Sequence, residues 1–181
     1  MTRLEQAIIF ATTAHEGQQR SGAARLPYIV HPLDVMGRLV RAGVTDEVVL
    51  AAAVLHDVVE DTGVTVEMIL DEFGLDVANV VAEVTDPEGV SKTKARALQV
   101  ERAPKMSARA KLVKLADKVS NVADLVANPP DWQPGSIGRY TDHARRVVAA
   151  LGELPLGGKF FGPAARLRED FVRACRLVPD D

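Results

Sequence analysis

The residues best suited to chemistry in this 181-residue chain are grouped in His56-Asp57-Val58-Val59-Glu60-Asp61. They follow residues 48–55, a run apolar on every side of a helix, which marks that helix as buried. An imidazole and a carboxylate at the end of a buried helix are costly unless compensated by each other, by another polar group or by a metal ion. Glu60 and Asp61 add two carboxylates one turn later, where the helix is predicted to end near Thr62-Gly63. Polar groups packed this densely in an apolar setting suit metal-dependent hydrolysis, in which an ion and neighbouring acids share the activation of water.

Two other histidines invite comparison. His15 closes the first predicted helix, where a cation favours the C-terminal end of the dipole. His31 precedes Pro32 at a helix start and serves there either as a loop residue or as a ligand. Asp117 belongs to a predicted helix capped by Ser107 and running to about residue 127, with an apolar stripe of Leu112, Leu115, Val119, Val122 and Val126. An advance of about 100° per residue turns Asp117 and Asn121 roughly opposite that stripe. Periodicity alone makes this a solvated face. Asp117 joins a site only if the helix is covered on both sides, which Ala110 and Val113 permit.

The elements that must position these residues are helices almost throughout. Thr2 caps a helix to about residue 16, followed by a polar loop over residues 17–30 with a short extended piece at Tyr28-Ile29-Val30. Pro32 takes a first helical position, and that helix stops at Gly43. Thr45 or Asp46 caps the buried helix that ends in the His-Asp pair. Further helices are expected from Thr65 to Gly74, from Asp76 to about Val84, from Ser91 to about Arg102, from Ser136 to Leu151 and from Pro163 to Leu177. A glycine-rich stretch from Gly152 to Gly162 joins the last two. The expected fold class is all-α, a compact bundle of roughly eight or nine helices, with residues 1–181 forming a single domain.

Composition supports that scaffold. The apolar fraction of 47% is enough for a core, and with aromatics at 4% Ala, Val and Leu must fill it. A net charge of −3 gives no general reason to expect nucleic acid or a membrane as partner. A single cysteine, Cys175, excludes an internal disulfide and suits a reducing cytosol. No apolar run approaches the roughly 20 residues that span a bilayer. The apolar stretch at residues 7–10 has Glu5-Gln6 before it and His15-Glu16 after it, as in an amphipathic helix rather than a signal peptide. A cytoplasmic location is therefore expected. Charge is uneven: residues 92–118 hold nine of the 22 Lys and Arg but only two of the 25 acids. Such a basic arc is either a solvated helix face or the partner of a phosphate-bearing ligand.

Four blocks carry a resemblance. They are Ala14-His15-Glu16-Gly17-Gln18, Pro27-Tyr28-Ile29-Val30-His31-Pro32, the run from Ala52 through His56-Asp57 to Thr62, and Lys111-Leu112-Val113-Lys114-Leu115-Ala116-Asp117-Lys118. In order and spacing they resemble the HD superfamily of metal-dependent phosphohydrolases, and more closely the hydrolase domain of RelA/SpoT proteins. The compact length and Leu98-Gln99-Val100-Glu101 are most similar to the stand-alone small alarmone hydrolases, and the similarity runs from about Glu5 to Ala149.

The resemblance implies that His31, His56, Asp57 and Asp117 hold one manganese ion, with Glu60 and Asp61 beside it to activate water and manage protons. It implies a guanosine tetra- or pentaphosphate substrate whose 3′-pyrophosphate is hydrolysed, giving pyrophosphate and GDP or GTP. Arg20 and Lys92 would contact phosphate or base, Asn121 the sugar-phosphate region and Tyr140 the nucleoside. Each is otherwise a solvated surface residue. Where relatives carry an Arg-Lys pair this chain reads Arg20-Ser21, one cation fewer. Two alternatives stand beside this reading: an HD phosphohydrolase of another nucleotide such as NADPH, and a catalytically idle alarmone-binding module. At this length a synthetase half is not expected, nor are nucleic acid and membrane partners.

Overall fold

The computed structural model describes residues 1–154 and 158–179. The glycine-rich stretch from Gly152 to Gly162 therefore lies partly outside the described residues. Among those residues the chain forms ten α-helical segments: α1 Arg3–Ala14, α2 Val30–Ala42, α3 Glu47–Leu55, α4 Val58–Asp61, α5 Val66–Phe73, α6 Leu75–Val84, α7 Lys92–Arg102, α8 Ala108–Ala127, α9 Ser136–Ala150 and α10 Phe161–Leu177. The fold is all-α, as expected. Among the described residues β-pairing is confined to two isolated antiparallel bridges, Gln19 with Pro27 and Gly22 with Pro130.

Helix α3 is the axis of the bundle. All of residues 48–55 are buried, and the helix packs against α1, α2, α6 and α8. Its three consecutive alanines let neighbours approach a helix surrounded on all sides. The Asp46 carboxylate caps it, accepting from the Val48 and Val49 amides at 3.0 and 3.4 Å. Ser107 caps α8 in the same way, accepting from Ala110 N at 3.2 Å. Gly43 ends α2 at φ 94°, a left-handed position that only glycine adopts without strain.

Three sequence expectations change in detail. The helix expected to run unbroken through His56-Asp57 is interrupted there, so α3 and α4 are separate segments, which accounts for the tenth. Tyr28 and Ile29 form a turn rather than an extended piece, and Val30 already belongs to α2. His31 and Pro32 thus lie inside the first turn of α2, where a missing N–H still costs nothing because first-turn amides have no intrahelical acceptor.

The larger difference concerns α8. Every residue from 112 to 120 is buried, Lys114, Asp117 and Lys118 included. Helices α2, α3, α6 and α10 pack against α8, and α9 adds further cover. The side that periodicity assigns to solvent is therefore an interior side.

Candidate active site

The site forms where three helices bring polar groups to one point. His31 comes from the first turn of α2, His56 and Asp57 from the break between α3 and α4, and Asp117 from the middle of α8. His31 Nε2 lies 3.3 Å from Asp117 Oδ1 and 3.5 Å from Asp57 Oδ2. His56 Nε2 lies 3.2 Å from Asp57 Oδ2 and 3.8 Å from Asp117 Oδ1. Ligand atoms of His31, His56 and Asp117 all fall within 4.8 Å of one another, the spacing of a group that could hold a metal ion.

Hydrogen bonds behind the cluster fix both imidazoles. Ala53 O can only accept, so His56 Nδ1 carries the proton of their 2.9 Å bond. Ser120 Oγ donates its single proton to Asp34 Oδ2 at 2.7 Å, so it must accept from His31 Nδ1–H at 3.1 Å. In neutral rings both Nε2 lone pairs then face the Asp57 and Asp117 carboxylates. His56 Nε2 is buried with no hydrogen-bond partner among the described residues. Lone pairs set against carboxylate oxygens at these distances call for a cation between them. Burial opposes charge on His56, yet Asp57 and Asp117 outweigh it and push its pKa up to about 10. A proton or a metal ion is thus demanded here, and two imidazoles with two carboxylates form a donor set that fits a divalent ion.

The relay from His31 through Ser120 to Asp34 gives a first prediction. Groups that orient a metal-ligating histidine typically carry 10–100-fold in metal affinity. Ser120→Ala should weaken divalent-ion binding by about that factor, measured by equilibrium dialysis with elemental analysis. Unchanged affinity would make Ser120 a packing residue.

Around the cluster is a cavity of ≈ 280 Å³ whose lining includes Arg20, Tyr28, Glu60, Asp61, Asn121 and Tyr140. Glu60 and Asp61 occupy its exposed side. Partial burial, then Asp86 and Asp57 for Glu60 and Asp57 for Asp61, raise both carboxyls above their ordinary values. Arg20 is already partnered: Nη2 donates to Asn121 Oδ1 at 3.0 Å and to Asp124 Oδ2 at 2.9 Å. Asn121 Nδ2 in turn donates to Asp117 Oδ1. Lys92 is exposed at the start of α7 and does not line the cavity; Arg96, one turn on, does. Ser21 lines an adjoining cavity of ≈ 200 Å³ with Trp132 and Tyr140, whose ring centroids are 5.7 Å apart. Gly22 permits the approach of that loop to the 128–130 segment, because an added Cβ would collide with Asn128.

The chain matches the HD domain over residues 7–151, a span that includes every residue of this cluster. The chain belongs to the HD-domain family. This HD domain is 45% identical over 148 residues to the Xenopus tropicalis guanosine-3′,5′-bis(diphosphate) 3′-pyrophosphohydrolase MESH1, spanning 81% of this chain and 83% of that protein. It is 44% identical over 151 residues to the Homo sapiens protein of the same name, spanning 82% and 84%. The solved structure of a metazoan orthologue of SpoT that hydrolyses ppGpp matches it with a TM-score of 0.86 and 38% identity, over 96% of each chain.

Several residues of the HD domain's site went unassigned in the sequence. Tyr28 Oη donates to Asp57 Oδ2 at 2.8 Å, and its ring stacks against buried His15 at 4.7 Å. Arg96, Lys114, Lys118 and His143 also line the cavity. The lysines had a sequence signal: positions 114, 117, 118 and 121 make one helical stripe, polar throughout. Ser120 and Asp34 gave none, since a serine and an aspartate on separate helices look like surface.

Proposed function

We propose that this protein hydrolyses the 3′-pyrophosphate of guanosine tetra- and pentaphosphate, releasing pyrophosphate and GDP or GTP, with one manganese ion held by His31, His56, Asp57 and Asp117. The observation that carries this reading is the convergence of those four side chains beside Glu60 and Asp61, in one cavity that also holds cations. Relatives at 45% and 44% identity named for this activity support it. Manganese suits a mixed set of imidazole and carboxylate donors with no thiolate.

The ion, when bound, lowers the pKa of water and neutralises phosphate charge. The side chains do the rest. Glu60 or Asp61 takes the proton of the attacking water, a role favoured by burial and the Asp57 charge, which make both carboxylates more basic than usual. A P–O bond forms to that water and the bond from phosphorus to the ribose 3′-oxygen breaks, the 3′-oxygen leaving with a proton. Asn121, tied to both Arg20 and Asp117, sets the sugar-phosphate against the reacting centre. Tyr140, with Trp132 beside it, offers an aromatic wall to the nucleoside. Lys92 is proposed for the phosphates on the resemblance alone, since it is exposed and outside the cavity lining. We place this single domain, residues 1–181, in the cytoplasm; no described helix is long and apolar enough to cross a membrane.

Ser21, in place of a lysine beside this cavity, keeps a second reading open, hydrolysis of another nucleotide such as NADPH. A substrate panel with purified protein and manganese decides between them. Pyrophosphate should appear from guanosine tetraphosphate, and Ser21→Lys should lower KM more than it raises kcat, since that charge positions substrate without touching the reaction. Turnover of NADPH with none of the guanosine compound would replace the first substrate by the second. Binding of the alarmone without turnover of either would leave an idle binding module.

A further inference from the structure

Lys114 and Lys118 are 5% and 6% exposed and lie one turn apart on α8. Two like charges at i and i+4 repel, and burying both adds a desolvation cost. Among the described residues each has a local contact. Lys114 Nζ donates to Val84 O at 3.0 Å, at the carbonyl end of α6, and Lys118 Nζ pairs with Asp117 Oδ2 at 3.1 Å. Capping α6 engages one of the three N–H groups on Lys114. Neither contact explains why a second covered cation sits beside the first, nor why both line the cavity of the HD cluster.

Other elements bring charge to the same corner. Arg96 comes from α7 and His143 from α9. Gln99 Nε2 donates to Asp86 Oδ2 at 2.6 Å, so Gln99 Oε1 accepts from His143 Nε2–H at 3.0 Å and fixes that ring. Burial, then Lys118, Arg96, Arg146 and Lys114, hold the His143 pKa down to about 4, a sign of how positive this corner is. Of the cavity's carboxylates, Asp117 reaches this corner through Oδ2, which Lys118 holds, while Asp117 Oδ1 and Asp57 face the imidazoles and Glu60 and Asp61 occupy the exposed side. Arg20 is partnered by Asp124. Among the described residues Arg96 and Lys114 line the cavity with no ion-pair partner, and Lys118 engages Asp117 through one of its three N–H groups.

We infer that Arg96, Lys114 and Lys118, with His143 beside them, form an anion subsite that holds the unattacked phosphate of the substrate's pyrophosphoryl group and then the pyrophosphate product. This rests on the hydrolase reading above and adds to it the residues that grip the group being transferred to water. Lysines already desolvated and held against α6 and Asp117 bind such an anion with little further ordering.

Inorganic pyrophosphate is the direct probe. Its binding to the manganese-loaded protein is measured by titration calorimetry, and bound manganese by elemental analysis. Lys114→Met and Arg96→Met should each weaken pyrophosphate binding at least tenfold with manganese retained; Arg176→Met, at an exposed cation at the end of α10, should change neither. Wild-type pyrophosphate affinity in both site variants would overturn the subsite. If Lys114→Met fails to fold, Arg96→Met decides alone, because Arg96 is exposed on a helix with no buried residue. A protein that binds pyrophosphate through these residues yet ignores guanosine tetraphosphate keeps the subsite and loses the proposed substrate. One that cleaves the substrate while its variants bind pyrophosphate unchanged does the reverse.

Discussion

Asp117→Asn should release the divalent ion and take hydrolysis below detection. Asp117 Oδ1 faces both Nε2 atoms, at 3.3 and 3.8 Å, while Oδ2 pairs with Lys118 at 3.1 Å. The amide keeps the shape and removes the charge that the ion and Lys118 both use. Two losses follow. Elemental analysis after dialysis should find less than a tenth of the wild-type ion. Urea denaturation should show a loss of about 3–5 kcal/mol, the usual cost of leaving a buried charge without its partner. A variant that keeps one ion per chain would shift the ligand role to Asp57 and the histidines.

Glu60→Gln and Asp61→Asn should separate chemistry from metal binding. Both side chains line the exposed rim of the cavity, outside the four side chains proposed to hold the ion. Ion content should therefore stay at the wild-type level. Acid–base assistance is worth typically ~10²–10⁴-fold, so kcat should fall by about that factor in the variant that removes the base. The other carboxyl, raised by the same neighbour Asp57, would account for residual rate. Full activity in both variants would reduce the acidic pair to the polar end of α4.

Much of this site was readable in the sequence because its central element obeys a simple rule. A helix apolar on all sides must be buried, so His56 and Asp57 at its end must be compensated, and the structure places them against His31 and Asp117. The same rule did not reach Asp117. Periodicity reports which face of a helix is apolar, and α8 is covered on its polar face too, by elements more distant in sequence. The break that turns α3 into α3 and α4 was likewise invisible, since Val58 and Val59 continue an apolar helical pattern across it. Residues that act through another group, such as Ser120 and Asp34 behind His31 or Tyr28 on Asp57, depend on contacts between elements and leave no local spacing. The basic arc was legible as a charge count. Which of its members turn inward is decided by packing: Lys114, Lys118 and Arg96 line the cavity and Lys92 stays outside.

The central claim is that water attacks the phosphorus of a 3′-pyrophosphate in this cavity. Hydrolysis of guanosine tetraphosphate by the manganese-loaded protein in ¹⁸O-water, with both products weighed by mass spectrometry, tests it most directly. The account predicts GDP without label and pyrophosphate carrying one ¹⁸O. Label in the GDP, or inorganic phosphate in place of pyrophosphate, would contradict it.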